Sequence, residues 1–191
     1  MRLGIFGGSF DPPHLGHLLP VMDAAEALGL DAVRFVPASI QPFKTDRAVT
    51  EPAHRLAMTE RLVEGIPGFS ADSSEIDRPG LSFSVDTLQE MADRQPHADL
   101  VLIVGADAYA MLDAWREPER IRRLATIAVL ERGETLAAAS GEVEQGVRRL
   151  LTRRVDISST ELRARVAKGR TIRGFVPEAV AEYIAAHRLY R

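Results

Sequence analysis

The chain has no cysteine. That excludes a disulfide framework, thiolate metal sites and cysteine nucleophiles, and it fits a reducing compartment. No apolar run approaches the roughly 20 residues that a membrane span needs. The first residues read as a strand rather than a leader peptide, so the expected location is cytoplasmic. Lysine is nearly absent, two residues against 22 arginines. A global excess of positive charge is also lacking: the formal net charge is -3 over 191 residues, which gives no overall support for a nucleic-acid polymer as partner. The charge is uneven, however. Residues 148–191 carry 11 basic and 4 acidic side chains, while the acidic excess lies before them, so a basic C-terminal stretch stands ready to face phosphates or simply to solvate helices.

Short apolar runs alternate with helical patterns. "RLGIF" (2–6), "AVRFVP" (32–37), "DLVLIVGAD" (99–107), "TIAVLERG" (126–133) and "RRVDIS" (153–158) read as strands, and "FSADSSEIDR" (69–78) as a strand or an irregular segment. Helices are predicted from Gly16 or His17 to Leu28, from Pro52 to Glu64, over 82–95, and at about 159–168 and 177–187. Pro20 suits the first of these only near its first turn. Residues 134–147, small and polar, carry the weakest pattern. Continuous apolar strands with helices between them imply an α/β fold: a Rossmann-like, doubly wound parallel sheet, one domain over 1–191, with a small C-terminal helical subdomain.

In such sheets ligands sit at the carboxyl ends of the strands. "GGSFDPPHLGH" (7–17), "GAD" (105–107) and "SSTELR" (158–163) all fall there. Gly7 and Gly8 let backbone approach a ligand closely. The helix after them points free N–H groups at the cleft, which suits an anion, and His14 and His17 can donate to phosphate oxygens or neutralise their charge. The spacing does not fit the dinucleotide signature G-x-G-x-x-G. Asp11 with the two histidines is an alternative metal set, and structural histidines are a second alternative. Ser158, Ser159 and Thr160 cap the later helix and offer hydroxyls and N–H groups to phosphate, with Arg163 one turn on as a bidentate donor.

These segments together resemble the bacterial nicotinate-nucleotide adenylyltransferases of the HxGH nucleotidyltransferase superfamily. "HLGH" (14–17) is similar to HxGH, "ISSTELR" (157–163) to ISSTxxR, "GADAYAMLDAW" (105–115) to the GAD–Trp segment, and "SFSVDTL" (82–88) to SYTxDTL, in order along essentially the whole chain. The resemblance implies a direct in-line reaction of ATP with nicotinate mononucleotide, giving deamido-NAD and pyrophosphate, with Mg²⁺ carried by the ATP phosphates and no metal held by the protein itself. It implies that Gly7, Gly8, Ser9, Phe10, Gly105, Asp107, Ser158, Ser159, Thr160 and Arg163 line the ATP site. By the same token His14, His17, Lys44 and Arg163 serve catalysis, and Ser84, Asp107 and Trp115 hold the mononucleotide. Homo-oligomerisation is left open. Phe43 stands where the family usually has histidine, and Phe83 and Ser84 where tyrosine and threonine are usual, so selectivity for the acid over the amide is the least constrained feature. The rival readings are an amide-preferring or dual-specificity enzyme, a phosphopantetheine adenylyltransferase, and a non-catalytic nucleotide sensor.

Overall fold

The computed structural model describes residues 1–40, 50–78, 80–133 and 140–191. The strands are β1 (Arg2–Gly8), β2 (Ala32–Pro37), β3 (Phe69–Ala71), β4 (Asp99–Gly105), β5 (Thr126–Gly133), β6 (Ser140–Glu144) and β7 (Val147–Arg153). They form one sheet in the order β3-β2-β1-β4-β5-β7-β6. Every neighbouring pair is parallel except β6 with β7. The helices are α1 (Leu15–Leu28), α2 (Pro52–Val63), α3 (Ser74–Asp77), α4 (Ser84–Arg94), α5 (Ala106–Tyr109), α6 (Pro118–Leu124), α7 (Ser159–Ala167) and α8 (Glu178–Ala186).

Side chains alternate between the two faces of a strand, and both faces here are covered. Val101 and Ile103 of β4 join the cluster that receives α1, α2, α7 and α8. Leu100, Leu102 and Val104 join the opposite cluster, with Val85, Leu88 and Met91 of α4 and Ile121 of α6. Fully burying each such aliphatic side chain contributes about 1.5–3 kcal/mol. This explains why the β4 run is apolar at every position instead of every second one. Leu162, Val180, Ala181 and Ile184 sit in the same cluster as α1 and α2, so the C-terminal helices extend the main core rather than building one of their own.

Three expectations need correction. The last parallel strand is Val147–Arg153, not 153–158, and residues 154–158 are an irregular connection into α7. Its arginines hid it: Arg149 pairs with Glu131 at 2.7 Å and lies over the Tyr109 ring, which keeps a cation on the face of a half-buried strand. The antiparallel edge strand β6 falls in the stretch with the weakest pattern. Finally, α1 runs on through Pro20, beyond its first turn.

The strand order places β1 and β4 side by side in the middle of the sheet. The chain winds outward through β2 and β3, then crosses back to β4 on the other side of β1. The crevice beyond β1 and β4 is therefore the topological switch point where such folds bind ligands. Asp23 of α1, 7 % exposed, accepts Nε and Nη2 of Arg153 at 2.6–2.9 Å and its backbone N–H at 2.9 Å. That clamp fixes α1, and hence its N-terminus, relative to the end of β7.

Candidate active site

β1 ends at Gly7 and Gly8. A Cβ on Gly7 would meet nothing nearer than the Val36 carbonyl at 4.0 Å, so the strand end is open. Gly8 has a different reason: a Cβ there would lie 3.0 Å from the Phe10 ring. Phe10 folds back at φ 47° and is 1 % exposed. It therefore does not line the cleft, as the sequence suggested, but packs under it, edge-on to the His17 ring with centroids 5.2 Å apart.

Past the Asp11–Pro12–Pro13 segment, His14 is the N-cap of α1 and 4 % exposed. Its ring stacks on His17, centroids 3.7 Å apart. The His14 backbone N–H donates to His17 Nδ1 at 3.3 Å, which leaves the His17 proton on Nε2. Burial lowers the His14 pKa to about 4, so its imidazole is neutral near pH 7. Its Nδ1 is buried with no hydrogen-bond partner among the described residues, an atom suited to a ligand group. Gly16 makes this arrangement possible. A Cβ on Gly16 would lie 3.0 Å from His14 Nδ1 and 3.3 Å from the Ile157 carbonyl.

Ile157 leads into α7, and here the two terminal motifs meet. Ser159 Oγ donates to the Pro12 carbonyl at 2.8 Å. Arg163 Nη1 donates to the Asp11 carbonyl at 2.7 Å, and Nη2 to Thr160 Oγ1 at 3.2 Å. Ser158 caps the helix by accepting the Glu161 N–H at 3.2 Å. The hydroxyls thus divide their work in a way the sequence does not show. Ser159 commits its proton to the turn, and Thr160 orients Arg163. The rest of the guanidinium fork and the α7 N-terminal N–H groups, with the helix dipole behind them, remain as anion donors.

Gly105 ends β4, exposed, with nothing within 4 Å of a notional Cβ. Asp107 lies exposed in the first turn of α5. Trp115 is partly buried against the α4–α6 cluster. Next to it, Arg116 stacks on Phe83 at 4.9 Å and pairs with Asp86 at 3.4 Å, which joins this segment to the α4 N-terminus where Ser84 stands. Lys44 and Phe43 lie outside the described residues.

Sequence reasoning missed the residues that tie these pieces together. Arg55 reads as a surface residue of α2 but is 1 % exposed. It donates to the carbonyls of Thr50, Ser9, Ala38 and Ser39 at 2.5–3.0 Å. The Ala38 N–H donates to the Gly8 carbonyl and the Ser39 N–H to Ser82 Oγ, both at 2.9 Å, so a chain of bonds runs from the glycine turn to the Ser82–Phe83–Ser84 segment. Glu75, 7 % exposed, accepts Thr87 Oγ1 at 2.6 Å, and its burial raises its pKa. Asp11 was a candidate metal ligand with His14 and His17. Its carboxylate instead faces Tyr190 Oη at 2.6 Å and the Thr50 N–H at 3.4 Å. No group of three or more acidic or histidine side chains able to hold a metal occurs among the described residues.

The family described as Cytidylyltransferase-like matches residues 5–165. A protein of Gemmatimonas aurantiaca, described as a probable nicotinate-nucleotide adenylyltransferase, is 48 % identical over all of this chain and 93 % of its own. One of Thermus thermophilus with the same description is 46 % identical, with both chains covered completely. Among solved structures, the Plasmodium falciparum nicotinic acid mononucleotide adenylyltransferase complexed with NaAD superposes with a TM-score of 0.75 at 19 % identity, covering 99 % of this chain and 97 % of that one. At that identity the likeness bears on the fold.

Proposed function

This chain belongs to the nicotinate-nucleotide adenylyltransferases, nucleotidyltransferases of NAD biosynthesis within the cytidylyltransferase-like family, and from that membership we propose that its cleft aligns ATP with nicotinate mononucleotide for direct transfer of the AMP group. The attacking atom is a phosphate oxygen of the mononucleotide. With a second pKa near 6 such a phosphate is largely dianionic at neutral pH, so no general base is needed. The new bond forms between that oxygen and the α-phosphorus of ATP. The bond from the α-phosphorus to the bridging oxygen breaks, and pyrophosphate leaves with the electron pair. Catalysis is then alignment and charge stabilisation, without a covalent intermediate on the protein.

The observation that carries this reading is the joining of the two motifs. Ser159 on Pro12 and Arg163 on Asp11 place the α7 N-terminus and its arginine against the turn that bears His14. In this reading His17 Nε2–H and the neutral His14 ring hydrogen-bond the phosphates, while Arg163 and the two helix N-termini supply positive potential. Lys44 adds a further cation. Gly7 and Gly105 leave room for the nucleotide, Asp107 binds ribose, and Ser84 and Trp115 receive the pyridine ring. The donors here are cationic or neutral, the chemistry of a phosphate site rather than a cation cage. Mg²⁺ therefore fits as a cation carried on the ATP phosphates, where it neutralises charge on the triphosphate. No helix among the described residues is long and apolar enough to cross a membrane, and a cytoplasmic location belongs to the same proposal.

The test is pyrophosphate release with ATP and Mg²⁺, comparing nicotinate mononucleotide, its amide and phosphopantetheine. Strong preference for the acid is expected. Equal use of the amide would make the enzyme dual-specific, preference for phosphopantetheine would move it to that neighbouring family, and ATP binding without turnover on any of the three would make it a sensor.

A further inference from the structure

Tyr190 lies four residues beyond the end of α8. The structure turns it inward. After α8 the chain passes through two non-glycine residues in the left-handed region, Arg188 at φ 53° and Tyr190 at φ 64°. Such conformations persist only where the surroundings impose them. The turn is held by the His187, Arg188 and Leu189 N–H groups on the Tyr183, Ala185 and Ile184 carbonyls at 3.1–3.2 Å. Its outcome is that Tyr190 Oη donates to Asp11 Oδ1 at 2.6 Å, across 179 residues.

Asp11 is 5 % exposed and is gripped from several sides. Besides Tyr190, the Thr50 N–H reaches its other carboxylate oxygen at 3.4 Å, and the buried Arg55 guanidinium is its nearby countercharge. Its own carbonyl accepts Arg163, and the next carbonyl, of Pro12, accepts Ser159. Three residues on stands His14. Burial and the adjacent carboxylate raise the Tyr190 pKa, so the phenol remains a donor across the working pH range.

We propose that the Tyr190 hydroxyl is a positioning group for adenylyl transfer: by holding the Asp11 carboxylate from the C-terminal tail, it fixes the turn that orients His14 on one side and anchors Arg163 on the other. The proposal rests on the reading of the cleft given above. Tyr190 touches no reacting group in it and acts through Asp11. Losing the hydroxyl leaves a buried carboxylate oxygen short of a donor, and the turn then relaxes toward Arg55.

Tyr190→Phe in the full chain removes only the hydroxyl. At saturating substrates kcat is expected to fall about tenfold, on the scale of one hydrogen bond to a charged group, with KM for the mononucleotide changed less than about twofold. A purely structural role would lower Tm and leave kcat of the folded protein unchanged, which would overturn the proposal. Asp11→Asn supplies the cycle. If the hydroxyl works through Asp11, adding Tyr190→Phe to Asp11→Asn lowers kcat little further, whereas multiplicative losses would refute that route. A second readout does not depend on the reaction. In long-range ¹⁵N–¹H spectra of the histidine rings, Tyr190→Phe should shift His14 and His17 and leave His97 in place. Should the wild-type protein turn over none of the mononucleotides, the functional reading fails on that result alone, and unmoved His14 and His17 signals would separately overturn the positioning role.

Discussion

Replacing Gly16 by alanine sets two effects of opposite sign against each other. Gly16 is the second residue of α1, and alanine is favoured over glycine in a helix by up to about 1 kcal/mol, less in the first turn. Against this, the new methyl would sit 3.0 Å from His14 Nδ1, 3.1 Å from its Cε1 and 3.3 Å from the Ile157 carbonyl. Comfortable carbon contacts lie near 3.5–4.0 Å. The carbonyl is backbone at the approach to α7, whose cap and Ser159–Pro12 bond resist movement. The His14 ring therefore yields, sliding a few tenths of an ångström against the His17 ring on which it stacks at 3.7 Å. A misplacement of about 1 Å costs on the order of 100-fold in rate. A shift about half as large should lower kcat roughly tenfold, or about 1.4 kcal/mol in the barrier. Stability should change by less than about 1 kcal/mol, and Tm by no more than about 2–4 °C for a chain of this size. Pyrophosphate release and a thermal melt on the same preparation read both quantities. Unchanged kcat would refute the claim that the His14 ring position matters. A collapse of Tm alongside the rate would show that the alanine splits α1 from α7 instead.

Gly105→Ala has the opposite geometry: φ is -73° and nothing lies within 4 Å, so Tm should hold while KM for ATP rises if nucleotide approaches there, and an unchanged KM would remove Gly105 from the site. Arg55→Met leaves four carbonyls at a buried position without their donor and should cost at least about 3 kcal/mol in urea unfolding; a loss under about 1 kcal/mol would mean that the loops it joins hold themselves. The His14 pKa of about 4 lies below the ordinary 6.5, so the unfolded chain binds that proton more readily. Its contribution is complete above pH 6.5 and falls by up to about 1.4 kcal/mol per pH unit as pH drops toward 4, a slope that His14→Asn should flatten; equal slopes in the two proteins would refute the buried neutral state. Trp115→Ala should raise KM for the mononucleotide more than for ATP, and equal effects would make the tryptophan part of the α4–α6 core alone.

What the sequence determined by itself was whatever is written locally. Continuous apolar runs such as Leu100–Val104 dictate a sheet covered on both faces, because no polar side chain is available for a wet face. Glycines and N-caps fix where strands stop and helices start, and the order of the segments puts "HLGH" and "SSTELR" at one end of the sheet. The tertiary structure alone decided which atoms meet there. That a Cβ on Gly8 would crowd Phe10, that Ser159 and Arg163 hold the histidine turn, that Arg55 is buried and that Tyr190 reaches Asp11 are facts about tertiary contacts, those of Ser159, Arg163 and Tyr190 spanning 147 to 179 positions and that of Arg55 with Ser9 spanning 46. Local periodicity carries no record of them. An arginine on a helix or a tyrosine near a chain end has the same sequence signature whether it faces water or a buried carbonyl, and only the packing of the remote segment against it settles which.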